Sequence, residues 1–201
     1  MHIETIEQLR ALYAMPKERA VLKQIAALDG HCRHFISLSP FVVVASGGAA
    51  GTMDASPRGG PPGFVRVLDE RTLLIPDAPG NNRLDTLENV IATGKVGLFF
   101  MIPGIDETLR VNGSARLSCK GEHLDAFAGE KRRPKLVIEV QVAEAYLHCA
   151  KALMRSKLWD ASSRLGRDAL PTMGRMIDSQ TGTQSPVETL EEMRLRYAPD
   201  L

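Results

Sequence analysis

Asn81-Asn82-Arg83 is the stretch of this 201-residue chain best suited to holding an anion. It opens the segment GNNRLDTLENVIATG, in which Asn81 or Asn82 can cap a helix whose buried stripe is Leu84, Leu87 and Ile91 and whose stop is Gly94. Free backbone N–H groups, the positive end of the helix dipole and a guanidinium converge there, so a phosphate would fit. Asp85 would repel it unless that carboxylate turns back to cap the chain, and an ordinary capped helix with a solvated arginine accounts for the same residues. Arg110 and Asn112 stand two apart on an expected strand, point to the same side, and can meet one ligand together or simply face water. Lys151, Arg155 and Trp159 recur at i,i+4, a cationic and aromatic stripe suited to an anionic aromatic ligand. As the single tryptophan, Trp159 equally suits a core or interface anchor.

Other chemistries find less support. Gly47-Gly48-Ala49-Ala50-Gly51 follows a Val-rich run, yet Asp54, Pro57 and the Gly59 to Pro62 stretch forbid the helix that a dinucleotide fingerprint requires at its glycines. Ser46, Ser56, His31 and His34 lie outside any GxSxG elbow, and neither HExxH nor a paired-carboxylate spacing occurs. Lys131-Arg132-Arg133-Pro134-Lys135 has no interleaved aromatics and reads as a solvated loop rather than a nucleic-acid contact. Cys32, Cys119 and Cys149 form neither a CxxC pair nor a zinc-like spacing. With 25 Lys and Arg against 24 Asp and Glu, the chain has no overall electrostatic footprint for DNA or an anionic membrane.

The elements that must position these residues follow from periodicity. Residues 1–30 read as a packed helical lead-in, with Ile6, Leu9 and Tyr13 at helical spacing and then Val21, Ile25 and Leu28 up to a stop at Gly30. Phe41 to Val44 is continuous and β-branched, as in a strand covered on both faces. Gly47 to Gly63 holds six glycines and three prolines in seventeen residues and reads as a loop. Phe64 to Leu68 and Thr72 to Pro76 form a hairpin, followed by the capped helix and strands over Lys95 to Ile102 and Thr108 to Leu117. A short helix near Leu124 to Ala128, a strand over Val137 to Ala143, and a helical tail from His148 complete the chain. Pro171 and Thr181 to Pro186 break that tail. Six short, mostly sequence-adjacent strands with helices inserted or at the ends predict a small antiparallel barrel, mainly β in an α+β arrangement, within a single domain. The hydrophobic share of 44% suits a packed core, the acidic start MHIETIEQLR does not suit a secretory signal, and no apolar run approaches a membrane span, so a cytoplasmic location is expected.

Taken in order, SPRGGPPGFVRVLDERTLLIPDAPGNNRLDTLENV, IPGIDETLRVNGSARL and HCAKALMRSKLW resemble the pyridoxamine 5′-phosphate oxidase-like flavoproteins, in particular a bacterial subgroup of FMN-dependent enzymes of unassigned substrate. The resemblance covers roughly residues 30–180. It implies a six-stranded antiparallel split β-barrel with flanking helices, spanning residues 31–165 between the lead-in and a tail at 166–201. It also implies a homodimer with one FMN in each of two shared clefts. By that resemblance Asn81, Asn82 and Arg83 hold the FMN phosphate. Ser56, Pro57 and Arg58 approach the isoalloxazine ring or ribityl chain, and the segments at Val65 to Val67 and at Pro76 to Asp77 line the flavin through backbone groups. Arg110 and Asn112 lie on a dimer-facing strand, while Lys151, Arg155, Ser156 and Trp159 close the cleft from the neighbouring subunit. The chain departs from true pyridoxamine-phosphate oxidases, which resemble R-x-V-L-L-K followed by S-R-K, and their C-terminal arginine motif is not recognisable. Vitamin B6 oxidation is therefore not expected. The expectation is an FMN-dependent oxidoreductase acting on an unidentified small molecule, without a nucleic-acid or membrane partner. Its alternatives are a flavin carrier or redox sensor without turnover, or a split barrel holding F420 or haem.

Overall fold

Seven strands make one antiparallel sheet among the residues described by the computed structural model, 2–186 and 188–200. They are β1 (Phe41–Gly47), β2 (Met53–Gly59), β3 (Arg66–Val67), β4 (Thr72–Pro76), β5 (Lys95–Met101), β6 (Thr108–Ser118) and β7 (Val137–His148). Their order is β2-β1-β5-β6-β7-β4-β3. The mainly β, α+β architecture agrees with expectation, and the count of seven rather than six has one cause. Met53–Gly59 is not loop but a strand, paired with β1 from Phe41↔Gly59 to Gly47↔Met53. Its proline is tolerated because β2 lies at the sheet edge, where half of its backbone groups face no neighbour. The hairpin at Asp69 to Arg71 forms as expected, with the Asp69 carboxylate accepting from the Arg71 N–H at 2.7 Å.

One face of the sheet is the core. Val42 and Val44 of β1, Leu98 and Phe100 of β5, Leu109 and Val111 of β6 and Val140 of β7 are buried there. Two helices seal this side, α3 (Gly30–Leu38) through Cys32 and Ile36 and α4 (Asp85–Thr93) through Leu87 and Val90. The opposite face is only half-buried, so β1 is not covered on both sides within one chain. A cross-strand row of Val43, Phe99, Arg110 and Tyr146 runs over it.

The lead-in differs from its periodicity. α1 (Ile6–Arg10) and α2 (Glu18–Leu22) bury no residue. Ile25 leaves the helical stripe to bridge Ala145, exchanging N–H···O bonds of 3.0 and 2.8 Å. Gly30 starts α3, capped by the Asp29 carboxylate, instead of ending a helix. Later, α5 (Gly121–Asp125) leads into a β7 that runs on to His148, and α6 (Lys151–Ser156), α7 (Met173–Thr181) and α8 (Leu190–Tyr197) form the exposed tail. No helix among the described residues is long and apolar enough to cross a membrane.

Candidate functional site

Edge strand β2, the exit from β4 and the start of α4 converge on a cleft of about 370 Å³. Each wall has a local cause. Pairing with β1 holds Ser56, Pro57 and Arg58 in one extended run. Beyond β4 the chain is pinned where the Asp77 N–H donates to the Leu136 carbonyl at 3.1 Å. The loop then turns through Asn81, whose side-chain oxygen accepts from the Arg83 N–H at 3.1 Å, and through Asn82 and Leu84, both left-handed at φ 59° and 60°. α4 is fixed from behind by Asn89, which donates to Ser46 Oγ at 3.1 Å and to the Asp54 carboxylate at 2.6 Å. Gly94 ends the helix at φ 62°, a conformation that glycine adopts without Cβ strain.

Eight expected residues therefore come together here: Ser56, Pro57, Arg58, Pro76, Asp77, Asn81, Asn82 and Arg83. The cap does not follow expectation. Neither asparagine caps α4; Leu84 occupies the cap position, and no side chain bonds the first turn. The buried stripe is correspondingly rotated, with Leu87 and Val90 inward beside Thr86 and Asn89, while Leu84 and Ile91 are 49% and 76% exposed. Arg83 Nε donates to Asp85 at 2.9 Å, so Asp85 is spent on that guanidinium rather than on capping.

The cleft also contains a residue the sequence reading passed over. Thr86 lines it, is 2% exposed, and its Oγ1 is the one buried side-chain polar atom among the described residues with no hydrogen-bond partner. Burying a hydroxyl without a partner is costly, and Thr86 keeps this unmatched polar atom at the start of α4. The signal in sequence was a threonine beside Leu87 in the first turn of the helix. Asp77 is the titratable group most affected by its surroundings here: burial raises its carboxyl above the usual range, while the positive charges of Arg58 and Lys135 pull it back.

The other expected residues lie elsewhere. Val65 is buried in the core and Val67 packs half-buried against it. Arg110 stacks over Tyr146, 5.2 Å from the ring centroid, and Asn112 donates to Glu144 at 2.6 Å, both on the half-exposed sheet face. Lys151 and Arg155 are exposed on α6, where the Ser156 hydroxyl donates back to the Leu153 carbonyl. α6 ends at Lys157 with φ 50°, so Trp159 falls outside the helical stripe, its indole N–H donating to the Ile105 carbonyl at 2.9 Å. None of these eight, Val65 and Val67 included, lines the cleft of its own chain.

Comparison with known proteins places the chain. The structure of HupZ from Group A Streptococcus is 19% identical, with a TM-score of 0.50 over 59% of this chain and 91% of HupZ. A single-substitution variant of HupZ gives 18% identity and a TM-score of 0.51 over 60% and 99%. A NimC/NimA family protein from Clostridium acetobutylicum is 12% identical, with a TM-score of 0.44 over 62% and 91%. At these identities the likeness to the two HupZ structures is one of fold. No protein of curated function matches the sequence. The family model described as Pyridoxamine 5'-phosphate oxidase matches residues 28–149, which takes in the whole sheet and the cleft built on it. The chain belongs to the pyridoxamine 5'-phosphate oxidase family.

Proposed function

We propose that the protein is an FMN-binding flavoprotein and works as an FMN-dependent oxidoreductase on a small molecule, as a cytoplasmic homodimer with two shared clefts. The observation that carries this reading is the unpartnered Thr86 hydroxyl, buried at the uncapped start of α4 beside Asn81, Asn82 and Arg83. A phosphate there meets hydroxyl and amide donors, free helix N–H groups and a guanidinium, which is the donor set the group requires. The cleft volume suits a ligand of cofactor size.

In this assignment Asn81, Asn82, Arg83 and Thr86 hold the phosphate. Ser56, Pro57 and Arg58 lie along the ribityl chain and ring, and backbone groups at Pro76 and Asp77 border the ring. Bound FMN would supply a hydride-accepting or hydride-donating ring nitrogen. Arg58 would place positive charge near the ring, and the Asp77 carboxyl, kept partly out of water, is the nearest group able to hold a proton. The homodimer is supported by the half-exposed face carrying Val43, Phe99 and Tyr146, and by the free-standing Lys151 and Arg155 on α6. From the neighbouring subunit those two, with Ser156 and Trp159, would close the cleft, and Arg110 and Asn112 would face the interface.

The test is an absorption spectrum of the purified protein, mass analysis of any small molecule released on denaturation, and a titration with FMN. Flavin absorption, or tight uptake of FMN that weakens in Arg83→Ala, is the expected result. Failure to take up FMN, or an Arg83→Ala variant with undiminished affinity, overturns the assignment.

A further inference from the structure

Beside the cleft lies a larger cavity of about 600 Å³ that shares its wall from Pro76 to Pro79, together with Gly59 and Phe64. Its interior is apolar, bounded by Phe64 and Phe127, with Pro61 and Pro134 at its sides. Its outer rim is the basic loop Lys131 to Lys135. Two of the rim's ion pairs are made with neighbouring elements: Arg133 pairs with Asp125 at the end of α5, and Glu130 pairs with Arg66, which also stacks over Phe127. The third is different in kind. Arg132 holds the carboxylate of Asp200 at 2.7 Å, so the Pro199-Asp200 segment, from the far end of the exposed tail, enters the cavity rim with a ring and an acid.

We infer that this cavity is a binding site for a small organic acid with an aromatic or alicyclic body, and that Pro199-Asp200 occupies it in competition with that acid. The chain itself demonstrates the recognition: a carboxylate sits on Arg132 with an apolar ring next to it. An ion pair whose side chains are both about half exposed contributes little to stability and exchanges readily for another carboxylate. An incoming acid would take the Arg132 guanidinium and place its ring against the apolar lining of the cavity, a burial that Pro199 only partly reproduces. The shared wall at Asp77 then brings the far end of the acid to the edge of the flavin cleft. Describing this acid as the enzyme's substrate rests on the FMN reading, whereas its binding does not.

Benzoate serves as the probe and benzyl alcohol as its neutral counterpart, each titrated calorimetrically into the 201-residue chain without flavin. Benzoate is expected to bind saturably and benzyl alcohol at least tenfold more weakly. Arg132→Ala should weaken benzoate at least tenfold, with Arg132→Lys intermediate, and Asp200→Asn should tighten it several-fold by removing the competitor. Thermal melts verify that each variant is folded. Absence of benzoate binding in both wild type and Asp200→Asn overturns the site, as does equal affinity in wild type and folded Arg132→Ala or Arg132→Lys. An unchanged affinity in Asp200→Asn overturns the competition. An FMN titration of the same samples separates the two readings. Benzoate binding without FMN uptake removes the flavin assignment alone, and FMN uptake without benzoate binding removes this one alone.

Discussion

Replacing Thr86 by valine removes one hydroxyl and keeps the shape of the side chain, and the structure gives that change two opposite signs. In the ligand-free protein Oγ1 is buried without a partner, a defect costing about 1–3 kcal/mol that a methyl group does not suffer. Thr86→Val should therefore melt higher than wild type, by roughly 2–12 °C at about 2–4 °C per kcal/mol for a domain of this size. With FMN the sign reverses. Loss of a hydrogen bond to a charged phosphate is worth about 1.5–3 kcal/mol, so affinity should fall roughly 10–150-fold. Because ligand binding stabilises in proportion to RT ln(1 + [L]/Kd), the two melting curves should cross as FMN concentration rises. Differential scanning fluorimetry across an FMN series, with Kd from flavin fluorescence, reads both effects. Thr86→Ser is the control that keeps the hydroxyl: binding is retained while stability drops for the lost methyl. The reasoning fails if Thr86→Val melts at or below wild type without FMN, or if its Kd lies within twofold of wild type.

Two further predictions concern the frame that holds the site. The Arg116 guanidinium donates to both oxygens of the buried Glu139 carboxylate, at 2.8 and 2.5 Å, and holds that carboxyl below its usual range. A pKa lowered by folding means stability that is complete above the unfolded value, about 4.3, and lost as pH falls through the lower folded value. Glu139→Gln should thus lower Tm by about 2–4 °C at neutral pH, and the gap should close in acid; an equal gap at both ends of the pH range would contradict it. Gly113 sits at the irregularity where β6 and β7 shift register, and a Cβ there would stand 3.0 Å from the Gln141 carbonyl carbon and nearer still to its oxygen. Gly113→Ala should cost about 1–3 kcal/mol in denaturant unfolding, and a variant as stable as wild type would show that the two strands part freely.

Much of the framework was legible in the order of residues because it is governed by local chemistry. Strand alternation, the Asp69 turn, the Gly94 stop and the strand-helix-strand segment from β4 to β5 all follow from side-chain period and turn residues. The errors fall where a distant partner overrides the local preference. Gly47 to Gly63 carries so many breakers that it reads as a loop, yet pairing with seven residues of β1 makes Met53–Gly59 within it a strand. On α4 Leu87 faces inward as its spacing predicts, but Leu84 takes the cap in a left-handed conformation and Val90 rather than Ile91 packs on the sheet. Ile25 abandons its helix for a bridge to β7.

The same division holds at the site. Type and spacing alone picked out Asn81, Asn82 and Arg83 as donors for an anion, since a loop entering a helix gathers N–H groups wherever it lies in the fold. Packing of α4 against the sheet decided that Thr86 would be buried facing the cleft with its hydroxyl unmatched, and that Asp77 would lie between two cavities. It also decided that Asp200 would reach Arg132 across 68 residues of chain. No neighbour in sequence fixes those facts, because burial and long-range pairing depend on which surfaces the finished sheet brings within a few ångströms of one another.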